Sequence, residues 1–473
     1  MNERDFLALR DRRRFLKEVA CGVGMMGLSS LLRADLPSSN PLAPKQPHFP
    51  GKAKNIIFMF MEGGPSQMDL FDPKPGLQKI SGQSLPESLT SQLRLAFIKK
   101  DAKVLASPRV FKPHGQSGIE MSDYIPNIAS CADDICLVRS MYSDAFNHHP
   151  GQLLLFTGTQ QFGRPTLGAW TLYGLGSESQ NLPGFVVLTS GVGTSGGASN
   201  FSSGFLPSHY QGTLFRNQGD PILYLSNPGG VTVETQRATL DALKDLNQER
   251  LAETGDTEIA SRIASYELAY RMQMSSPELL DFSKEPDHIR KMYGVDEEPT
   301  RQFGTNCLLA RRLVERGVRF VLMMHASWDQ HTYLNSALKK NCDIADKPTA
   351  ALIKDLKQRG LLDSTLIVWG GEFGRTPMVE IRNTADPENA GRDHHPLGYS
   401  MFLAGGGIKG GQVVGKTDDI GFNIVEDKVH IHDLQATIMH CLGFDHTKLT
   451  YRHMGRDFRL TDVHGEVVRK LLA

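Results

Sequence analysis

The chain has 473 residues, enough for one large α/β domain with insertions or for two domains. Lysine plus arginine (52) equals aspartate plus glutamate (52), so no net charge draws it to nucleic acid or to an anionic membrane. Its apolar and charged contents are those of an ordinary globular protein.

The N-terminus carries Arg12, Arg13 and Arg14, then Phe15-Leu16-Lys17 and a mild apolar run from Val19 to Leu32. Paired arginines ahead of such a run predict a twin-arginine export signal over 1–34, and with it a periplasmic or extracellular location. The run falls short of the roughly 20 residues needed to cross a ~30 Å hydrocarbon core, so no stable membrane span is expected. Residues 35–53 read as a proline-rich linker, and the folded domain is expected over 54–473. Six cysteines (Cys21, Cys131, Cys136, Cys307, Cys342 and Cys441) include no C-x-x-C pair. Loss of Cys21 with the signal leaves an odd number, which argues against a full disulfide framework.

NIIFMFM (55–61) is a continuous apolar run stopped by Glu62-Gly63-Gly64-Pro65-Ser66, as a strand covered on both faces would be. NHHPGQLLLFTG (147–158) sets two histidines before a proline and an apolar run ending in Thr-Gly. FVVLTS (185–190), RFVLMM (319–324), TLIVWGG (365–371) and SMFLAGGG (400–407) repeat the pattern of a short apolar strand running into small or polar residues. Residues 190–217 are rich in Gly, Ser and Asn and predict a loop. Residues 235–275 show no strand signal and predict two amphipathic helices broken at Thr254-Gly255-Asp256, inserted on the sheet's flank. Helices are also predicted over 305–317, with Leu308, Leu309, Leu313 and Val314 on one stripe, and over 346–363, stopping at Gly360. Strands alternating with helices imply βαβ units, hence an α/β fold with a mostly parallel sheet.

Ligands of such sheets sit outside the carboxyl ends of the strands. Glu62, Ser66, Asp69 and Asp72 follow the first strand; His325, Trp328, Asp329 and His331 follow 319–324; Glu372, Phe373 and Arg375 follow 365–371. Arg392, Asp393, His394 and His395 stand just before 400–404. Carboxylates and imidazoles gathered in this way are ligands of zinc, manganese and related divalent ions.

The order of these motifs resembles the alkaline phosphatase and sulfatase superfamily. That pattern has an acid after the first strand and a nucleophile loop leading into a helix that ends in Thr-Gly. An Asp…His pair, an acid after a later strand and a final histidine follow. More closely, GGPSQMDLFDPKP, GEFGRTP, GRDHHPLG and AGGGIKGG look like domain of unknown function 1501, an exported bacterial family placed in that superfamily. The resemblance covers nearly all of 54–473. It implies an alkaline-phosphatase-like sheet sandwiched between helices and an exported metal-dependent hydrolase of sulfate or phosphate esters, on polysaccharides among other anionic substrates.

Laid on the sulfatase loop Cys-x-Pro-x-Arg, Pro150 falls on the proline, His148 on the nucleophile's place and Gln152 on the arginine's. Glu62 and Glu372 stand where the superfamily has aspartates. Phe373 replaces a ligand, so one half of a two-metal site is expected to be impaired. The resemblance implies a divalent ion (zinc, manganese or calcium) held by some of Glu62, Asp329, His331, Glu372, Asp393, His394 and His395. His148, with His149 beside it, is the catalytic candidate as general base or nucleophile; the base is favoured because imidazole titrates near the working pH. Arg375 or Arg392 is expected to clamp the anionic group with a planar fork, and Ser66 is an outside candidate for the nucleophile. The alternative is an exported binding or scaffold protein whose superfamily site has decayed.

Overall fold

The computed structural model describes residues 40–473 apart from 87–96, 100, 192, 217–221, 223–226, 228 and 383–386. The expected export signal and Cys21 lie outside the described residues. In chain order the strands that matter here are β1 (Asn55–Met61), β2 (Ile135–Tyr142), β3 (Phe185–Ser190), β4 (Thr213–Phe215), β5 (Phe320–His325), β6 (Thr365–Gly370), β7 (Gly374–Ile381), β8 (Ala390–His395), β9 (Tyr399–Ala404), β10 (Gln412–Val414) and β11 (Val429–His430). The helices are α1 (His148–Thr157), α2 (Leu167–Leu175), α3 (Val233–Thr254), α4 (Thr257–Leu280), α5 (Arg301–Glu315), α6 (Leu334–Gln358) and α7 (Ile431–Cys441).

Among the described residues, β10-β2-β9-β6-β1-β5-β3-β4 form the path of a nine-stranded sheet, with β11 also paired to β2. β1 runs parallel to both β5 and β6, and β3 runs parallel to β5 and β4. β9 is antiparallel to β2 and β6, so the sheet is mostly parallel, as the alternation of strand and helix signals predicts. Alternate residues of β1 enter two cores. Ile57, Met59 and Met61 pack on one face with Leu308 of α5 and Leu352 of α6. Ile56, Phe58 and Phe60 pack on the other with Phe156 of α1, Trp170 of α2 and Leu434 of α7. Burial on both faces explains why β1 reads as an unbroken apolar run rather than an alternating one.

Several boundaries differ from the sequence reading for physical reasons. α6 begins at Leu334, well before residue 346, and contains Pro348 within it. Its buried stripe (Leu338, Cys342, Ala345, Thr349) continues across the proline, so packing overrides the local break. α3 and α4 match the expected pair, with Gly255 in the left-handed conformation as the C-cap of α3. α3 has no fully buried residue, while α4 sends Met272 and Leu279 into the core beside α5. Residues 42–53 lie along the domain: Lys45 N–H donates to Leu175 O (2.8 Å), Phe49 N–H to Gly443 O (3.1 Å) and Ala53 N–H to Cys441 O (2.9 Å). Cys131, Cys136, Cys307, Cys342 and Cys441 are buried free thiols. No described helix is long and apolar enough to cross a membrane.

Candidate metal centre

The carboxyl ends of β1, β5 and β6 and the amino end of α1 meet at one place. Gly63 and Gly64 turn the chain after β1 at φ 118° and 79°, in the region open mainly to glycine. A Cβ on Gly63 would collide with the backbone nitrogen of Asp329, and one on Gly64 would press on Phe373. Two non-glycine residues flank the Asp329–His331 turn at positive φ, Ser327 (83°) and Tyr333 (51°). Such strain persists where surrounding structure enforces it, often at functional sites. β7 and β8 form an antiparallel hairpin off the main sheet, and their register sets His394 opposite Arg375.

His148, Asp329, His331 and His394 converge here, each with a donor atom within 4.8 Å of the others. Nε2 of His331 lies 2.9 Å from Asp329 Oδ1 and 3.0 Å from His394 Nε2. His394 Nε2 lies 3.2 Å from the same Asp329 oxygen, and His148 Nε2 lies 3.3 Å from Asp329 Oδ2. The opposite ring nitrogen of each imidazole faces an acceptor. Nδ1 of His331 meets Glu380 at 2.5 Å, that of His394 the Phe146 carbonyl at 2.7 Å, and that of His148 Glu372 at 2.8 Å. These partners place a proton on each Nδ1 and turn each Nε2 toward Asp329, where it donates a hydrogen bond to the carboxylate or, with an ion bound, would offer its lone pair. His148 Nε2 is buried, with Asp329 Oδ2 as its charged neighbour.

This donor set fits a divalent ion. Metal–ligand bonds of ~2.0–2.2 Å in a tetrahedral array separate the donor atoms by roughly 3.3 Å. His331 Nε2, His394 Nε2 and Asp329 Oδ1 are separated by 2.9 to 3.2 Å, His148 Nε2 lies 3.3 Å from the second Asp329 oxygen, and the four residues' donor atoms all lie within 4.8 Å of one another. The imidazoles of His331 and His394 are buried, whereas the Asp329 side chain is 38% exposed, which leaves the cluster open on one side. Phe373 packs its ring against His148 and His394 at centroid distances of 5.1 and 4.5 Å.

The electrostatics follow from the same contacts. Burial opposes a charge on Asp329, but hydrogen bonds from His148, His331 and His394, with Arg375 beside it, hold its pKa far below the usual carboxylate range. Burial pushes His148 down, yet its bonds to Asp329 and Glu372 outweigh that and raise it to about 9. His331 is also raised, its bonds to Asp329 and Glu380 overcoming burial, while burial lowers His394.

Glu62 and Glu372 border the cluster on the α1 side. Glu372 is fully buried and accepts from the Gly63 N–H at 3.2 Å. Glu62 accepts from the Ser195 N–H and from Gln152 Nε2, both at 3.0 Å. Arg375 is fully buried; its guanidinium donates to Gly64 O (2.9 Å), Arg392 O (3.0 Å), Gly63 O and Asp329. It therefore braces Asp329, with its donors taken up by acceptors of the protein itself. Arg392 is likewise buried and pairs with Asp69 at 2.9 Å. Asp393 offers an oxygen near His331 and Glu380 and accepts from the Phe97 and Ile98 N–H groups at 2.9 and 3.2 Å.

The other expected residues lie elsewhere. Ser66 is buried and hydrogen-bonds Asp69 at 2.5 Å. His395 meets the Phe422 carbonyl at 2.7 Å, His325 accepts from the Trp328 indole at 3.1 Å, and His149 faces Ser199 at 3.2 Å. The sequence reading did not place Glu380, Ser195 or Phe97 in the site; Phe97 sets its ring edge-on to His331 at 4.9 Å. Glu380 sits five residues past Arg375 on β7, a spacing that becomes meaningful only once the β7–β8 hairpin is known.

A family model described as protein of unknown function (DUF1501) matches residues 53–472, and the chain belongs to that family. No curated protein matches the sequence. Among solved structures it is similar to the PsFucS1 sulfatase from Pseudoalteromonas sp., at 13% identity over 83% of this chain and 68% of that one, with a TM-score of 0.35. It is similar to the lipoteichoic acid synthase LtaP from Listeria monocytogenes, at 10% identity over 86% and 77% of the two chains and a TM-score of 0.34. A protein in the alkaline phosphatase superfamily from Vibrio parahaemolyticus gives 11%, 86%, 71% and 0.34 in the same terms. Identities this low assign no activity.

Two outcomes are expected. Asp329→Ala abolishes tight binding of a divalent ion, and Glu380→Gln weakens it by about 10–100-fold because Glu380 only orients His331. Both are read by metal titration of chelator-treated protein; unchanged affinity in Asp329→Ala would remove the site. The second concerns pH in metal-stripped protein. A folded-state pKa raised from 6.5 to about 9 gives His148 a stabilising contribution that is complete below 6.5 and lost as pH rises through 9. The unfolding midpoint should fall over that interval, and fall less in His148→Gln; equal slopes would contradict the assignment.

Proposed function

We propose that this member of the family is a metal-dependent hydrolase of sulfate or phosphate esters, acting outside the cytoplasm on anionic substrates such as ester groups of a polysaccharide. The observation that carries this reading is the convergence of His331 Nε2, His394 Nε2 and Asp329 Oδ1 at 2.9–3.2 Å, beside the amino end of α1. Acceptor atoms so close require a proton or a cation among them, and a divalent ion can take the place of the protons. Imidazole nitrogens favour zinc or manganese over calcium, which prefers oxygen ligands. When bound, a divalent ion supplies Lewis-acid stabilisation of the charge building on the ester oxygens and favours deprotonation of a water. The export expectation rests on Arg12–Arg14 and the apolar run behind them.

His331, His394 and Asp329 hold the ion. Glu380 and the Phe146 carbonyl fix the two imidazoles so that Nε2 is the coordinating atom. His148 sits at the first position of α1, its Nδ1 held by Glu372 and its ring plane fixed by Phe373. With an ion held by Asp329, that carboxylate's pull on His148, which otherwise keeps the ring protonated, would weaken; Nε2 would then accept the proton of an attacking water, and Glu372 would stabilise the imidazolium that results. Asn147 makes no side-chain cap on α1, which leaves the first-turn N–H groups of His148 and His149 to meet an anionic oxygen.

One observation favours binding without turnover: Arg375 and Arg392, the arginines expected to clamp an anion, have their donors committed inside the protein. Hydrolysis of nitrophenyl phosphate and sulfate esters by zinc- or manganese-loaded protein separates the readings. Turnover that drops by about 10²–10⁴ in His148→Ala supports the base assignment. Full activity of that variant sinks it. A loaded protein that binds anionic glycans but cleaves no ester supports the binding role.

A further inference from the structure

We propose that Gln152 closes a second cation site, so that the centre takes one divalent ion and not a pair. This rests on the reading that the His331–His394–Asp329 group holds metal. Glu62, His148 and Glu372 each present a donor atom within 4.8 Å of the others, and they share His148 with the main cluster. Two carboxylates and an imidazole at that spacing have the ligand types of a cation cage in their own right, since affinity for hard cations rises with the number of charged ligands.

Here N–H groups meet those donors instead. The Gln152 side-chain nitrogen lies 3.0 Å from Glu62 Oε1 and 3.5 Å from Glu372 Oε1, and 2.9 Å from Ser195 Oγ. The Ser195 N–H donates to Glu62 at 3.0 Å, and the Gly63 N–H reaches both Glu372 oxygens at 3.2 and 3.3 Å. Gln152 is the residue on which this arrangement turns, because among the described residues it is its amide that donates to both carboxylates. Its position follows from α1: four residues after His148, it lies one turn along the same helix face.

The amide is held in one orientation. Gln152 is fully buried, and its Oε1 accepts from the Gly196 N–H at 2.8 Å and from Asn200 Nδ2 at 2.9 Å. Flipping the amide would set its oxygen against two carboxylates and its NH2 against two donors, and every one of these bonds would be lost. Entry of an ion between Glu62 and Glu372 requires the same losses. The glycine- and serine-rich stretch over 190–217 thus supplies the donors that lock the plug, through Ser195, Gly196 and Asn200.

The test counts ions. Chelator-treated protein, Gln152→Glu and Gln152→Ala are each loaded with zinc or manganese, freed of unbound metal by desalting and analysed for metal per chain. The unmodified protein should retain one ion. Gln152→Glu, which puts a third carboxylate where the amide stood, should retain two, and its unfolding midpoint should respond to added metal more strongly than that of the unmodified protein. Gln152→Ala should admit the second ion more weakly. Two ions in the unmodified protein overturn the proposal, as does a single ion in both folded variants. No ion in the unmodified protein overturns the metal reading itself, a result distinct from either. If neither variant folds, the count on the unmodified protein decides: one supports the plug and two overturns it.

Discussion

Asp329 is shared by three imidazoles and a buried guanidinium, and the turns around it are shaped by the need to hold one carboxylate in that company. Arg375 takes the carbonyls of Gly63 and Gly64 as well as Asp329, tying the turn after β1 to the turn after β5. That tie needs close approach of two backbones, which a side chain at Gly63 would block. The left-handed Ser327 and Tyr333 belong to the same constraint, since they bend the chain so that Asp329 and His331 aim at one point.

The centre is asymmetric. On the β8 side, imidazoles with their Nδ1 atoms occupied present Nε2 atoms that a proton or a divalent ion must satisfy, so protons would compete with any metal there. On the α1 side, Glu62 and Glu372 are met by backbone N–H groups and an amide. His148 stands between the two, bonded to Glu372 at one nitrogen and facing Asp329 with the other. A single residue that touches both halves is well placed to couple proton movement to the proposed ion site.

Much of this was legible in the sequence, and the exceptions have physical causes. β1, β3, β5 and β6 announce themselves as short apolar runs because both faces of the sheet are covered, and their ends deliver Glu62, Asp329, His331 and Glu372 where ligands are expected. The motif order located the amino end of α1 through Pro150 and the terminal Thr157-Gly158, and His148 is indeed in the cluster. β7 and β8 were not legible as strands because the buried positions of this hairpin hold Arg375, Arg392, Asp393 and His394, which carry no hydrophobic period. Without the hairpin, Glu380 could not be matched to His331, nor His394 distinguished from His395. The two arginines look from sequence like anion clamps, and only their burial shows that they serve the protein's own carbonyls and carboxylates. Phe373 reads as a lost ligand, yet its ring is a wall for His148 and His394.

The most direct measurement of the central claim is anomalous X-ray diffraction from crystals of the protein loaded with zinc or manganese, recorded on either side of the metal's absorption edge. The account predicts one strong peak among His331 Nε2, His394 Nε2 and Asp329, at bonding distances of ~2.0–2.2 Å. A peak between Glu62 and Glu372 with none beside His331, or no peak in loaded crystals, would contradict it.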